Sequence, residues 1–260
     1  MKVTWNLAIV AIALIVNASQ VRGEIVTRDR AKTSQFNLAQ TSLEEQESIL
    51  FIPRPEAKDG EPDGSVNPPP PFGESLCPET DIPLTAIVPH TDGKTRLTLT
   101  AQERPTFWFY VPYETPLTAK FLLKKDGEQV DIQEFKLSGK AGLIGVTLPP
   151  EIQLSALEEN YDWVFILVCN PYKRAADLYV SGSIRRVNPT PNLIPLPTAT
   201  PQEKAKLYAS DGLWNDTLTS ILQELSLVDP VTSRLYLTRL LEPFGFGNLV
   251  EKPVVGGIGE

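Results

Sequence analysis

The strongest hydrophobic signal in the chain is a pair of apolar runs. The first, R-P-T-F-W-F-Y-V-P-Y at 104–113, is rich in aromatic and β-branched residues and is fenced by Pro105 and Pro112, the composition of a short strand with defined ends. Alternation puts Phe107, Phe109 and Val111 on one face and Trp108 and Tyr110 on the other. The second run, 161–169, sets Tyr161, Trp163, Phe165, Leu167 and Cys169 against Val164, Ile166 and Val168. A strand that is apolar on both faces needs cover on both. A facing sheet supplies one side, and helices after residue 200 are the expected cover for the other.

Weaker strand signals surround these two: 82–88, 96–101, 117–125, 128–137, 142–148 and 177–187. Asp126-Gly127 sits between two of them and suits the positive φ angles of a type I′ hairpin turn. About eight short strands with turn signals at close intervals predict a mainly β domain over 76–188, an antiparallel immunoglobulin-like β-sandwich.

The pattern then changes period. Five prolines in 188–201 mark a linker over 189–199. Thr200, Pro201 and Glu203 form a capping box with proline at the first helical position. Trp214, Leu218, Ile221, Leu222 and Leu225 recur at helical spacing, and Asp229-Pro230 caps a further stripe of Val231, Leu235, Leu237, Leu240 and Leu241. Tyr208, Gly212, Trp214, Ile221 and Asp229-Pro230 resemble one tetratricopeptide hairpin leading into another helix, with the proline one place late, and 200–245 is expected to be a helical hairpin packed on the sandwich. Residues 246–260, ending V-V-G-G-I-G-E, are expected to form a flexible tail.

The N-terminal sequence changes the compartment. Met1 and Lys2 precede an apolar run to Val16 and then small residues at Ala18 and Gly23, the arrangement of a secretory signal peptide over 1–23. The alternative is an uncleaved anchor, for which the run is short. Cleavage would leave no transmembrane anchor and place the protein in the periplasm or cell envelope. Residues 24–75, with prolines culminating in the run at 68–71, read as a disordered spacer, or more sharply as a polyproline ligand for a partner groove. The chain carries 24 basic and 32 acidic residues, a net charge of −8. Loss of 1–23 removes Lys2 and Arg22 and no acid, and the more acidic product repels phosphate backbones, so nucleic acid is not an expected partner.

Cys77 and Cys169 are the only cysteines, and in an oxidising compartment they are expected to pair, the alternative being one buried thiol and one free. Catalytic chemistry is sparse. His90, the one histidine, lies in the turn P-H-T-D-G, and no nucleophile elbow, zinc-protease helix or phosphate loop occurs. No catalytic residue, cofactor or metal ligand is therefore assigned. Carboxylates are numerous enough to leave a glycosidase-like acid pair open, though nothing picks out two of them. Trp108, Tyr110, Tyr113, Trp163 and Tyr172 suit either sugar stacking or a core. Arg174 and Asp177 are candidates for a contact site in the loop after Cys169, or for an ion pair that orders it.

The stretch 104–113, Y-D-W-V-F-I-L-V-C-N-P from Tyr161, R-A-A-D-L-Y-V-S-G-S-I-R-R-V from Arg174 and L-Y-A-S-D-G-L-W-N-D from Leu207 together resemble a family of exported cyanobacterial proteins designated domain of unknown function 928. The family pattern has C-D-P and R-S-A-D where this chain has Asn170 and Ala175, which weakens any ligand contact that loop would make through a carboxylate and a hydroxyl. The resemblance implies an envelope or periplasmic setting and no assigned activity. The expectation is an exported, non-enzymatic interaction or structural module whose partner is an envelope protein or a glycan. A glycan-binding module and a carboxylate-based hydrolase are the alternatives, and Trp108, Tyr110, Tyr113, Arg174 and Asp177 are the candidate contact residues.

Overall fold

The computed structural model describes residues 48–57, 64–68, 77–155 and 159–258; the expected signal peptide and the prolines at 69–71 lie outside them. Ile49–Glu260 forms one unit. Among the described residues there are twelve strands: β1 (Gly64–Ser65), β2 (Thr85–Ala86), β3 (His90–Thr91), β4 (Lys94–Thr95), β5 (Thr98–Thr100), β6 (Thr106–Val111), β7 (Thr118–Lys125), β8 (Glu128–Lys136), β9 (Gly142–Thr147), β10 (Asn160–Val168), β11 (Leu178–Arg186) and β12 (Val254–Ile258). They make a five-stranded sheet β5-β11-β10-β7-β8, a four-stranded sheet β12-β9-β6-β2 and a small sheet β1-β4-β3. The protein is mainly β, with a C-terminal helical region.

The two larger sheets face each other through aromatic rings. Phe109 of β6 stacks on Phe165 of β10 at 4.2 Å, and Phe107 meets Phe121 of β7 at 4.7 Å. Burial of rings of this size on both inner faces is the main stabilising contribution to such a core. The hairpin between β7 and β8 turns at Asp126 and Gly127 with φ of 53° and 81°, as the dipeptide predicts. Cys77 and Cys169 form a disulfide, with Cα atoms 5.1 Å apart. Pairing is not wholly antiparallel as expected: β5 runs parallel to β11, and β12 parallel to β9. Each reaches its neighbour by a long connection rather than a hairpin, which frees its direction.

Three helices follow, in the three segments where the sequence shows helical spacing: α1 (Pro201–Ser210), α2 (214–228) and α3 (Pro230–Leu241). The capping box at Thr200 and Glu203 starts α1 as the sequence predicts. Within α2 the segment Ser220–Leu225 is π-helical. Val231 and Leu235 of α3 are exposed, and Ser233, Tyr236, Leu237, Leu240 and Leu241 form its buried face. The predicted stripe holds at Leu237, Leu240 and Leu241, while Ser233 and Tyr236 occupy the core positions expected of Val231 and Leu235. These helices cover the outer face of β6, where Trp108 and Tyr110 lie buried. Among the described residues the helices make no extensive contact with β10, and Val164 and Ile166 stay half-buried beside cross-strand neighbours such as Leu122 and Tyr179.

Two expectations fail at the chain ends. Over 49–57 and 64–68 the predicted spacer is part of the fold. Ile49 and Val66 are buried, Phe51 meets Trp214 edge-on at 5.0 Å, and Ile52 N–H donates to Ala209 O. Arg54 pairs with the buried Asp211. Gly212, at φ +71°, permits this approach, since a Cβ there would lie 2.7 Å from the Ile52 carbonyl oxygen. Isolated apolar anchors among prolines have no period to reveal them. The predicted tail is likewise incorporated: Phe246 and Leu249 are buried and β12 adds to the sheet. Its glycines depress strand propensity, and its pairing partner is more than a hundred residues away in sequence.

Candidate functional site

The helical layer and the four-stranded sheet meet along a seam that three hydrogen bonds close. Trp214 Nε1 donates to Ile87 O (2.8 Å), Asn215 Nδ2 to Thr106 O (3.0 Å) and Trp108 Nε1 to Thr219 Oγ1 (3.0 Å). Beside them lies a polar cleft of about 290 Å³. Its walls come from β5 and the loop after it (Thr100, Gln102), the entry to β6 (Arg104, Thr106), α1 (Tyr208) and α2 (Asn215, Asp216, Thr219, Ser220, Glu224). The π-helical segment begins within this wall, and such segments inside α-helices are frequent at functional sites.

Asp216 is the unusual group. Its Oδ1 accepts from Ala101 N–H at 3.3 Å, while Oδ2 is buried without a hydrogen-bond partner. Burial pushes its pKa up to about 6, and the Thr100 and Gln102 side chains and the Ala101 N–H oppose that rise. Asn215 is also buried, and its Oδ1 has no partner. Among the described residues these two acceptor oxygens on adjacent residues have no hydrogen-bond partner, and although Thr100, Gln102 and Ala101 partly offset the burial of the Asp216 charge, a ligand donor could offset the rest. Tyr208 is pushed up to about 12 by burial and then by the negative charges of Asp216 and Glu224, with its hydrogen bond from Gln102 opposing. Glu224 is held by Lys204 at 2.7 Å, and Arg104 Nε donates to Leu148 O at 2.8 Å. The cleft offers acceptors and one carboxylate whose pKa burial raises to about 6.

The residues singled out from sequence lie elsewhere or beneath the surface. Trp108, Tyr113 and Trp163 are 2%, 6% and 1% exposed, and Tyr110 is buried too, so none presents a ring face for stacking on a sugar. Trp108 reaches the cleft only through its bond to Thr219. The Tyr113 hydroxyl donates to Pro78 O, and burial raises its pKa. Lys252 Nζ sits 5.6 Å from the Tyr110 ring centroid. Arg174 and Asp177 form an ion pair at 2.6 Å, with Asp177 Oδ1 buried and unpartnered. Tyr172 alone of the named aromatics is exposed. His90 meets Phe246 in a tilted ring contact at 4.9 Å and lines a separate apolar hollow of about 240 Å³ together with Phe51, Leu97, Leu99 and Trp214. Among the described residues no group of three or more His, Cys, Asp or Glu could hold a metal ion, and no helix is long and apolar enough to cross a membrane.

Sequence reasoning missed Asn215, Asp216, Gln102 and Glu224 as a set. One signal was available: Asn215 falls on the apolar stripe of Leu218 and Leu222, a polar residue at a core-facing position. Two of the stretches that carry the family resemblance converge here, Arg104, Pro105 and Thr106 from 104–113 and Tyr208, Asn215 and Asp216 from 207–216. No curated protein matches the chain. Residues 68–254 match the model of the family described as Domain of Unknown Function (DUF928), and the chain belongs to that family.

Proposed function

We propose that this protein is an exported, non-enzymatic interaction or structural module of the cell envelope, and that it holds a donor-bearing group of its partner or ligand in the Asp216 cleft. The observation that carries the reading is the pair of buried, unpartnered oxygens, Asn215 Oδ1 and Asp216 Oδ2, in the wall of a cleft sewn to a stapled scaffold. Export rests on the character of residues 1–23 and is supported by the disulfide, which belongs to oxidising compartments. An immunoglobulin-like sandwich is the finer fold reading, supported by the aromatic core between the facing sheets. A tetratricopeptide-like arrangement of 200–245 is supported only by the succession of α1 and α2.

The test is parallel capture from envelope extract with the wild-type chain and the Asp216→Asn variant. A molecule retained by the first and lost by the second supports the reading. Identical recovery by both, or recovery by neither across a range of salt, overturns it.

A carboxylate-based hydrolase is the second reading, favoured by Asp216 lying in one cleft with Glu224 and having its pKa raised to about 6. It requires turnover of a chromogenic glycoside or ester that Asp216→Asn abolishes. A glycan platform built on Trp108, Tyr113 and Trp163 has no exposed ring to work with.

A further inference from the structure

The apolar hollow beside His90 lies where the two apolar clusters of the core meet. Trp214, with Phe51 and Phe244 packed against it, belongs to one, and Leu97 and Leu99 belong to the other. Phe51 and Phe244 both meet the Trp214 ring edge-on, at 5.0 and 5.1 Å. The indole N–H is taken up by its bond to Ile87 O, so Trp214 offers the hollow an apolar surface only. Leu97, Leu99 and Trp214 are almost wholly buried, whereas Thr91 and Arg96 are exposed, which gives the hollow an apolar floor and a polar rim. Its volume is about 240 Å³. A cavity of about 150 Å³ lined by aliphatic and aromatic side chains holds benzene, so this one has room for a single aromatic ring with a short arm.

The rim sets the sign of the ligand. Arg96 Nε donates to Thr91 Oγ1 at 2.9 Å, which orients the guanidinium. Among the described residues its terminal amino groups meet no carboxylate and no acid lines the hollow, although the chain carries 32 acidic residues against 24 basic. An unpaired guanidinium fork at the rim of an aromatic floor complements a planar carboxylate carried on an aromatic body. One guanidinium balances one negative charge, which suits a carboxylate better than a phosphate dianion.

We infer that this hollow binds a small aromatic monocarboxylate, its ring against Trp214, Leu97 and Leu99 and its carboxylate on Arg96. Burial of the ring supplies most of the affinity, and the guanidinium selects the acid over neutral analogues. The site shares no lining residue with the Asp216 cleft and does not depend on it.

Titration of the full, disulfide-bonded chain with phenylpropionate, followed by calorimetry and by the methyl resonances of Leu97 and Leu99, tests this. Saturable binding with a dissociation constant of about 1 mM or tighter is expected, with the methyl resonances of both leucines shifted. Phenylpropanamide, the neutral isostere, is expected to bind at least about tenfold more weakly. Arg96→Gln, at an exposed position, is expected to bring the acid down to the level of the amide and to leave the amide unchanged. No saturation by phenylpropionate up to about 10 mM, equal binding of acid and amide, an affinity for the acid indifferent to Arg96→Gln, or saturation that leaves the Leu97 and Leu99 methyls unmoved would each overturn the proposal.

Discussion

The indole N–H of Trp108, on the outer face of β6, donates to the hydroxyl of Thr219 in α2 at 3.0 Å. That bond joins the most aromatic strand to the helix that bears Asn215 and Asp216, and it lies at the edge of the polar cleft. The seam is therefore part of the same core as the sheets. Replacing Thr219 with Val keeps the shape and removes the acceptor, leaving a buried indole donor unpaired. We expect a loss of roughly 1–3 kcal/mol in urea unfolding, in a single transition. Separate transitions for helices and sheets would show that the layers fold independently.

Asp216 sets a pH dependence. Its pKa rises from an ordinary carboxylate value near 3.8 to about 6 in the folded protein, so the native state binds more protons than the unfolded state between those values. Its favourable contribution is full below the unfolded pKa and is lost as pH climbs toward 6, at a cost of roughly 3 kcal/mol above that. Asp216→Asn is expected to flatten the stability profile between about pH 4 and 6 and to stabilise the protein at pH 7 by roughly 1–3 kcal/mol. Chemical unfolding at closely spaced pH values reads both effects. A gain in stability that abolishes capture of a ligand would be the trade expected of a functional group.

The Cys77–Cys169 bond closes a loop spanning a sequence separation of 92. On the chain-entropy account this stabilises the fold by roughly 4–5 kcal/mol, and the paired Cys→Ser variant should lose about that much in guanidinium unfolding. Unchanged stability would place the gain elsewhere.

Arg54 pairs with the buried carboxylate of Asp211, which also accepts from Thr190 Oγ1 at 2.6 Å. Truncation to Ala strands that charge and detaches residues 49–57 from the α1–α2 turn. The expected loss is roughly 3 kcal/mol, together with faster cleavage near Arg54 under limited proteolysis. Wild-type resistance in Arg54→Ala would mean that Ile49, Phe51 and the Ile52–Ala209 backbone bond hold the segment without it.

Periodic features were legible in the sequence and solitary ones were not. The strand at Thr106–Val111, the Asp126-Gly127 hairpin and the Thr200 capping box each rest on local chemistry, and each stands where it was predicted. Ile49, Phe51 and Val66 are single anchors in a proline-rich stretch, and β12 depends on a partner strand distant in sequence. No local rule reaches contacts of that kind. The cleft was hidden for a related reason. Asp216 matters because Ala101, Thr100 and Gln102 come from another element and bury it, and a linear reading of N-D after Trp214 contains none of them. The aromatics drew attention as binding residues because composition does not distinguish a ring in a core from one on a surface.

The ionisation midpoint of Asp216, followed through its carboxyl carbon-13 resonance in the full chain and assigned by its loss in Asp216→Asn, tests the buried seam most directly. A midpoint raised to about 6 is the result expected of a desolvated carboxylate in this seam. A midpoint near 4, that of a solvated side chain, would contradict both the buried seam and the site built on it.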